Sequence, residues 1–319
     1  MKLFIQCLLG ALFTVGVAVA QTYPDKSLPI KVIVPFGAGS SADVLARALA
    51  RAITDVSGVS TIVDNKPGAD GLIGVEAAKL SRPDGYNLMV TTNSTQVVNP
   101  HLYLKLPYDP IADFIPLAGV ARVPMMVNVG PTIPFATVPE FVAAARANPG
   151  KYTVGSATST TRVAGEMLKS AAHIDMLTVG YKNFADAFND VVAGRLDMVI
   201  VDAVTAGPFY TRGVRPMATT IANRSARFPN IPTLQEGGVA GYDAGGWFAA
   251  FFPVKTPASA VRTMREILQK ALLTKGVTDV YAVAGMEPLN VKPEDMERFQ
   301  QVEFEKWGNA VRVANLPKQ

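Results

Sequence analysis

From Ile30 onward, short β-branched or apolar runs alternate with longer stretches of helical period. The run Ile30-Lys31-Val32-Ile33-Val34 stops at Pro35-Phe36 and opens into Gly37-Ala38-Gly39-Ser40-Ser41, after which Leu45, Ala46 and Leu49 share one helix face. Residues 61–63, 88–92, 115–120, 125–129, 151–155, 176–179, 198–201, 217–220 and 247–252 read as further strands. Helices are predicted over about 72–80, from the capping box Thr137-Val138-Pro139-Glu140 to Asn148-Pro149-Gly150, and through Met167 and Leu168. More helices lie between the later strands. Another follows Thr256-Pro257, with proline at the first helical position, and two more end the chain. This alternation predicts βαβ units and an α/β fold.

Two of these units share an architecture. Residues 30–41 and 151–161 are each a strand, then a Gly/Ser/Thr-rich loop, then a helix. The first turn of a helix has N–H groups without intrahelical acceptors and the positive end of the macrodipole, so each loop suits an anion. Two such loops at strand C-terminal ends are placed to face each other across a ligand cleft.

The first twenty residues read as a leader: Lys2, an apolar stretch over 3–19, and the cleavage signal Ala18-Val19-Ala20 before Gln21. The chain's single cysteine, Cys7, falls inside it, so the exported product is expected to lack disulfides, thiolate nucleophiles and cysteine metal sites. The net charge of +4 comes from scattered Lys and Arg, which points away from nucleic acid.

Gly37-Ala38-Gly39-Ser40-Ser41-Ala42 fits the dinucleotide pattern G-x-G-x-x-A, and Asp64 lies near the end of the next strand. An exported protein meets little NAD, however, and Pro35-Phe36 puts a kink and a ring before the glycines. There is no G-K-S/T loop, H-E-x-x-H or G-x-S-x-G, and the only histidines, His101 and His173, have no evident partner. The expectation is no catalytic residue, no metal and no cofactor.

Asp43 and Arg47 are spaced as a helix-surface ion pair. Asp202 ends an apolar strand, either as an N-cap or as a site acid. Arg162, beside a helix N-terminus, opposes the dipole unless it holds a carboxylate. Phe36, Tyr181 and Trp247 are candidate apolar walls.

Pro35-Phe36-Gly37-Ala38-Gly39-Ser40-Ser41-Ala42-Asp43 with Ala46-Arg47 resembles the P-F-x-A-G-G-x-x-D-x-x-A-R opening of Bug-type receptors, the periplasmic solute-binding proteins of tripartite tricarboxylate transporters. The resemblance continues through Asn65-Lys66-Pro67-Gly68-Ala69-Asp70-Gly71, Pro83-Asp84-Gly85-Tyr86, Leu106-Pro107-Tyr108-Asp109-Pro110, Ala164-Gly165-Glu166, Pro229-Asn230-Ile231-Pro232-Thr233 and Lys306-Trp307-Gly308. It implies a two-domain periplasmic binding protein clamshell, type II-like, with its ligand cleft between domain 1 (22–121 plus 243–319) and domain 2 (122–242). It also implies a monomeric periplasmic receptor, exported by the Sec pathway with its leader removed after Ala20, that hands a carboxylate to a two-component membrane permease.

By position, the implied ligand-binding residues are Phe36, Gly39, Ser40, Ser41 and Asp43 in the first loop, Ser94 and Thr95 in the loop Asn93-Ser94-Thr95-Gln96 after the third strand, Ser159, Thr160 and Arg162 in the partner loop, and Tyr181 and Asp202. Ser40 replaces the family's second glycine, and Val179-Gly180-Tyr181-Lys182-Asn183 replaces its V-P-Y-K-G. Together with Arg162, these departures favour a di- or tricarboxylate, aromatic in view of Phe36 and Tyr181. Two other classes stay open: an exported enzyme using the same cleft, and a receptor that delivers its liganded form to a signalling partner.

Overall fold

Strand patterning sorts the chain into two mixed sheets in this computed structural model, which describes residues 23–318; the leader lies outside the described residues. In chain order the first elements are β1 (Ile30–Val34), α1 (Ser41–Ser57), β2 (Thr61–Asn65), α2 (Leu72–Lys79), β3 (Asn87–Thr92), α3 (Asn99–Leu102) and β4 (Phe114–Val123). Next come β5 (Met125–Val129), α4 (Val138–Ala147), β6 (Thr153–Ser156), α5 (Ser159–Ala172), β7 (Leu177–Gly180), α6 (Phe184–Val192), β8 (Met198–Asp202), α7 (Ala203–Tyr210) and β9 (Arg215–Thr219). The chain ends with β10 (Gly246–Pro253), α8 (Ala258–Ala271), α9 (Lys275–Ala284), β11 (Glu287–Pro288) and α10 (Met296–Val313).

One sheet is six-stranded, in the order β11-β4-β10-β3-β1-β2, and the other five-stranded, in the order β7-β6-β8-β5-β9. β1 runs parallel to β2 and β3, and β6 parallel to β7 and β8. The connecting helices cover these βαβ units as the alternation predicts. β10 enters antiparallel between β3 and β4, and β5 antiparallel between β8 and β9. Pro124 alone separates the two sheets on the outward passage, and the chain returns through residues 220–245.

The amphipathic stripe of α1 is buried as read, with Leu45, Leu49 and Ile53 fully enclosed. Each such side chain contributes about 1.5–3 kcal/mol of burial. A Cβ on Gly74 of α2 would lie 2.5 Å from Pro35 Cα and 2.7 Å from the Lys66 carbonyl oxygen. That helix therefore rests directly on the segment that carries Phe36. The two lobes also share apolar packing: Met89, Trp247 and Phe251 belong to one cluster with Val127, Ile200 and Tyr242. The Tyr242 hydroxyl donates to the Ala164 carbonyl at 2.7 Å.

Some local readings change. Pro257 takes the N-cap position of α8 instead of the first helical one, and the Thr256 hydroxyl turns back to the Pro253 carbonyl. The polar stretch before α5 is shorter than expected. Thr158 and Thr161 form a reciprocal capping box that starts the helix at Ser159. After β3 the chain enters a π-helical turn, Ser94–Val98, which no local pattern of caps or apolar spacing marks.

Candidate functional site

The loops after β1, β3 and β6 and the start of α7 converge between the sheets around a cavity of about 70 Å³. Phe36, Ala42, Val123, Met125, Phe184 and Trp247 give it largely apolar walls. Its polar lining comes from Ser40, Ser41, Asn93, Ser94, Thr158, Thr160, Thr205 and Asp202. No lysine, arginine or histidine lines it among the described residues.

Two helices begin at this cavity with donors to spare. In α1 the Ser40 hydroxyl accepts from the Asp43 amide, and the Val44 amide reaches the Ser40 carbonyl. The Ser41 and Ala42 amides, first in the helix, have no intrahelical acceptor. In α5 the Thr161 amide is capped by Thr158, which leaves the Ser159 and Thr160 amides in the same position. Among the buried side-chain atoms without a hydrogen-bond partner are Nδ2 of Asn93, on the cavity wall, and Oγ of Ser159, at the start of α5. Converging neutral donors and dipole ends can hold an anion without a cation.

The third helix start is occupied. Asp202 caps α7: its Oδ1 accepts from the Val204 and Thr205 amides at 3.0 and 3.1 Å, and its Oδ2 from the Thr205 hydroxyl at 3.1 Å. Ser41 adds a hydrogen bond to Oδ2 from the opposite lobe at 2.9 Å. Burial raises the pKa of this enclosed carboxyl, and the same hydrogen bonds oppose the shift. Ser94 Oγ and Thr160 Oγ1 make a second contact across the cleft at 2.7 Å. The lobes thus meet directly. Ordinary ligand pockets measure roughly 300–1,000 Å³, so a ligand of that class enters only when the lobes part.

Of the residues expected at the site, Phe36, Ser40, Ser41, Ser94, Thr160 and Asp202 line the cavity. Gly39 and Asp43 brace its floor: the Gly39 amide donates to Asp43 Oδ2 at 2.9 Å, and Arg47 pairs with the same carboxylate at 3.0 Å. Burial pushes the Asp43 carboxyl up, but Arg47, the Gly39 amide and Asn65 outweigh it and hold it below its ordinary value. Thr95 is buried beneath the cavity, its hydroxyl 2.7 Å from that of Thr91.

Arg162 and Tyr181 do not line this cavity. Arg162 falls in the first turn of α5, past the lining residues, with its charge acting on Asp70 of the other lobe. Asp70 is raised by burial, and the Tyr103 hydroxyl and Arg162 pull it back. Tyr181 donates to Asp190 at 2.8 Å, and burial with that hydrogen bond pushes its hydroxyl up to about 12. Phe184 and Thr205 were not singled out from sequence, and Asn93 was implied only as the first residue of the loop after β3. Only the position of Asn93 at a strand end, and of Thr205 after the candidate acid, signals them.

The dinucleotide alternative loses support: the Gly39 amide is already bonded, and Asp64 faces Lys31 and Lys66 at 3.8 and 3.4 Å. His101 bonds the Phe304 carbonyl and His173 closes α5. Among the described residues no three His, Cys, Asp or Glu side chains converge on a metal position.

Residues 45–316 match the family described as "Tripartite tricarboxylate transporter family receptor". The chain belongs to that family. The receptor is 30% identical to Protein BugT of Bordetella pertussis (strain Tohama I) over 308 residues, which cover 94% of this chain and 93% of the relative. The solved structure of R. palustris Rpa4515 with adipate is similar at a TM-score of 0.88 and 28% identity, covering 93% of this receptor and 100% of that chain. The periplasmic binding protein BugD gives 0.85 and 28%, with 91% and 99% covered. The two-lobed α/β clamshell is thus the fold of periplasmic solute-binding receptors.

Proposed function

We propose that the chain is a periplasmic receptor, not an enzyme, that closes on a small carboxylate and delivers it to the two-component membrane permease of a tripartite tricarboxylate transporter. The carrying observation is the convergence of the α1 and α5 N-termini and the Asn93 amide on one apolar-walled cavity. In this reading the carboxylate rests on the Ser41 and Ala42 amides, with donors from Asn93 and the α5 start closing over it. Each charge-assisted hydrogen bond contributes roughly 1.5–3 kcal/mol. A few of them, after association costs, support a Kd on the order of micromolar or tighter. The moving units are residues 22–121 with 243–319, and 122–242, and only their closed arrangement lets both lobes touch one ligand.

The adipate held by the Rpa4515 relative favours small acids with an apolar body, which the walls Phe36, Phe184 and Trp247 suit. Arg162, the cation expected to hold a second carboxylate, does not line this cavity, and its charge acts on Asp70. A di- or tricarboxylate would then be held by hydroxyls and amides alone. We place the leader's removal after Ala20 and the mature monomer in the periplasm. Among the described residues no helix is long and apolar enough to cross a membrane.

A thermal-shift screen over aliphatic and aromatic mono-, di- and tricarboxylates tests the reading. A true ligand at about a hundred times its Kd raises stability by about 2.7 kcal/mol. A melt unmoved by every carboxylate, or moved by NAD alone, overturns it.

A further inference from the structure

Among the described residues, Asp202 carries the only formal charge on a side chain that lines the cavity. Its oxygens are fully engaged. Two amides and a hydroxyl from the start of α7 supply three of its donors, and Ser41 supplies the fourth from the opposite lobe. Ser41 is therefore shared. Its amide is one of the two unclaimed donors of the α1 terminus, while its hydroxyl is spent on Asp202. A carboxylate seated on the Ser41 and Ala42 amides comes to rest beside Asp202 Oδ2, in a cavity with no basic side chain between two like charges.

The conflict is relieved if the ligand itself carries a donor next to its carboxylate. That donor takes the place of Ser41 on Asp202 Oδ2. The freed Ser41 hydroxyl then turns to the ligand carboxylate and joins the two amides. Every acceptor stays filled, and no unpartnered charge remains.

We propose that Asp202 is a specificity-determining residue. It selects acids that bear a hydroxyl, ammonium or other hydrogen-bond donor on the carbon beside the bound carboxylate, and it discriminates against acids that lack one. The proposal rests on the carboxylate-receptor reading and adds the identity of the group that sits beside the carboxylate. The short Ser41–Asp202 link sets the reach, because the donor and the carboxylate must both lie within contact of one serine.

The test is calorimetric titration of the full mature receptor at pH 8 with pairs that differ by a single hydroxyl: malate against succinate, and mandelate against phenylacetate. The expected result is a preference for the hydroxy acid of about tenfold or more, the worth of one hydrogen bond to a charged group. Asp202→Asn keeps an N-cap residue and should abolish the preference. Ser41→Ala should enlarge it, because Oδ2 loses its competing protein donor. Equal affinities within each pair in the wild type overturn the proposal while leaving the receptor reading standing. A preference that survives Asp202→Asn removes Asp202 from it. If no carboxylate binds at all, both fall.

Discussion

Asn93 is buried at the end of β3 with its carbonyl oxygen taken by the Trp247 amide and its Nδ2 left without a partner. A buried donor kept in that condition costs stability unless something accepts from it. Asn93→Ala is accordingly expected to weaken carboxylate binding by about tenfold to a hundredfold, while relief of the unpartnered Nδ2 offsets loss of the long Trp247 amide bond and the melt moves little; isothermal titration and a thermal scan of the same sample check both. Asp43 acts differently. Its folded carboxyl lies below its ordinary value, so its contribution is complete above the usual carboxylate range and is lost as the pH falls through the lowered value. Asp43→Asn should cost less than about 1 kcal/mol at neutral pH, since its partner Arg47 is half exposed. The variant should also lose part of the receptor's acid sensitivity, read by urea titrations at pH 3.5 and 7. That Ser40, Ser41 and Asp202 would line one cavity was legible, because strand-end and helix-start positions are local patterns. Arg162 does not line the cavity: spacing reveals a cation against a dipole but not Asp70, on which the folded chain sets its charge.

At the scale of elements, the site depends on how helices meet loops. Gly74 lets α2 lie against Pro35, with no room for even a methyl group. Gly74→Ala should push α2 off the segment that orients Phe36, at a cost of about 1–3 kcal/mol together with a loss of ligand affinity. A variant with full affinity and an unchanged melt would show that the contact is slack. Thr158→Ala removes the capping box of α5 and should cost about 1 kcal/mol, measured by chemical denaturation. Helices announced themselves through caps and apolar stripes, which are written within a few residues. The two-residue β11 and the π-helical turn after β3 were not announced. β11 exists through its pairing with β4, and the turn is wholly buried, so tertiary context decides both.

For the whole molecule, the decisive contacts are those that cross the cleft. Ser41 to Asp202 and Ser94 to Thr160 each join the two lobes through side chains that also line the cavity. Ser94→Ala deletes one such bond, worth about 1 kcal/mol, and should shift the open-to-closed ratio about fivefold toward open. Small-angle scattering should then record a larger radius of gyration than for the wild type, and ligand should reverse it. The alternating pattern announced α/β lobes, but the insertion of β10 between β3 and β4 joins segments from the two ends of the chain, an arrangement no local pattern encodes.

Trp247 and Trp307 are the chain's only tryptophans, and both indole N–H groups donate to one carboxylate oxygen of Glu303, at 2.9 and 3.3 Å. One of these rings walls the cavity, and the other is buried on α10, which packs against α5 of the opposite lobe. The protein therefore carries its own optical probe. Any movement of the lobes alters the polarity around a chromophore pair tied to a single negative charge, so occupancy can be followed by intrinsic emission without a label.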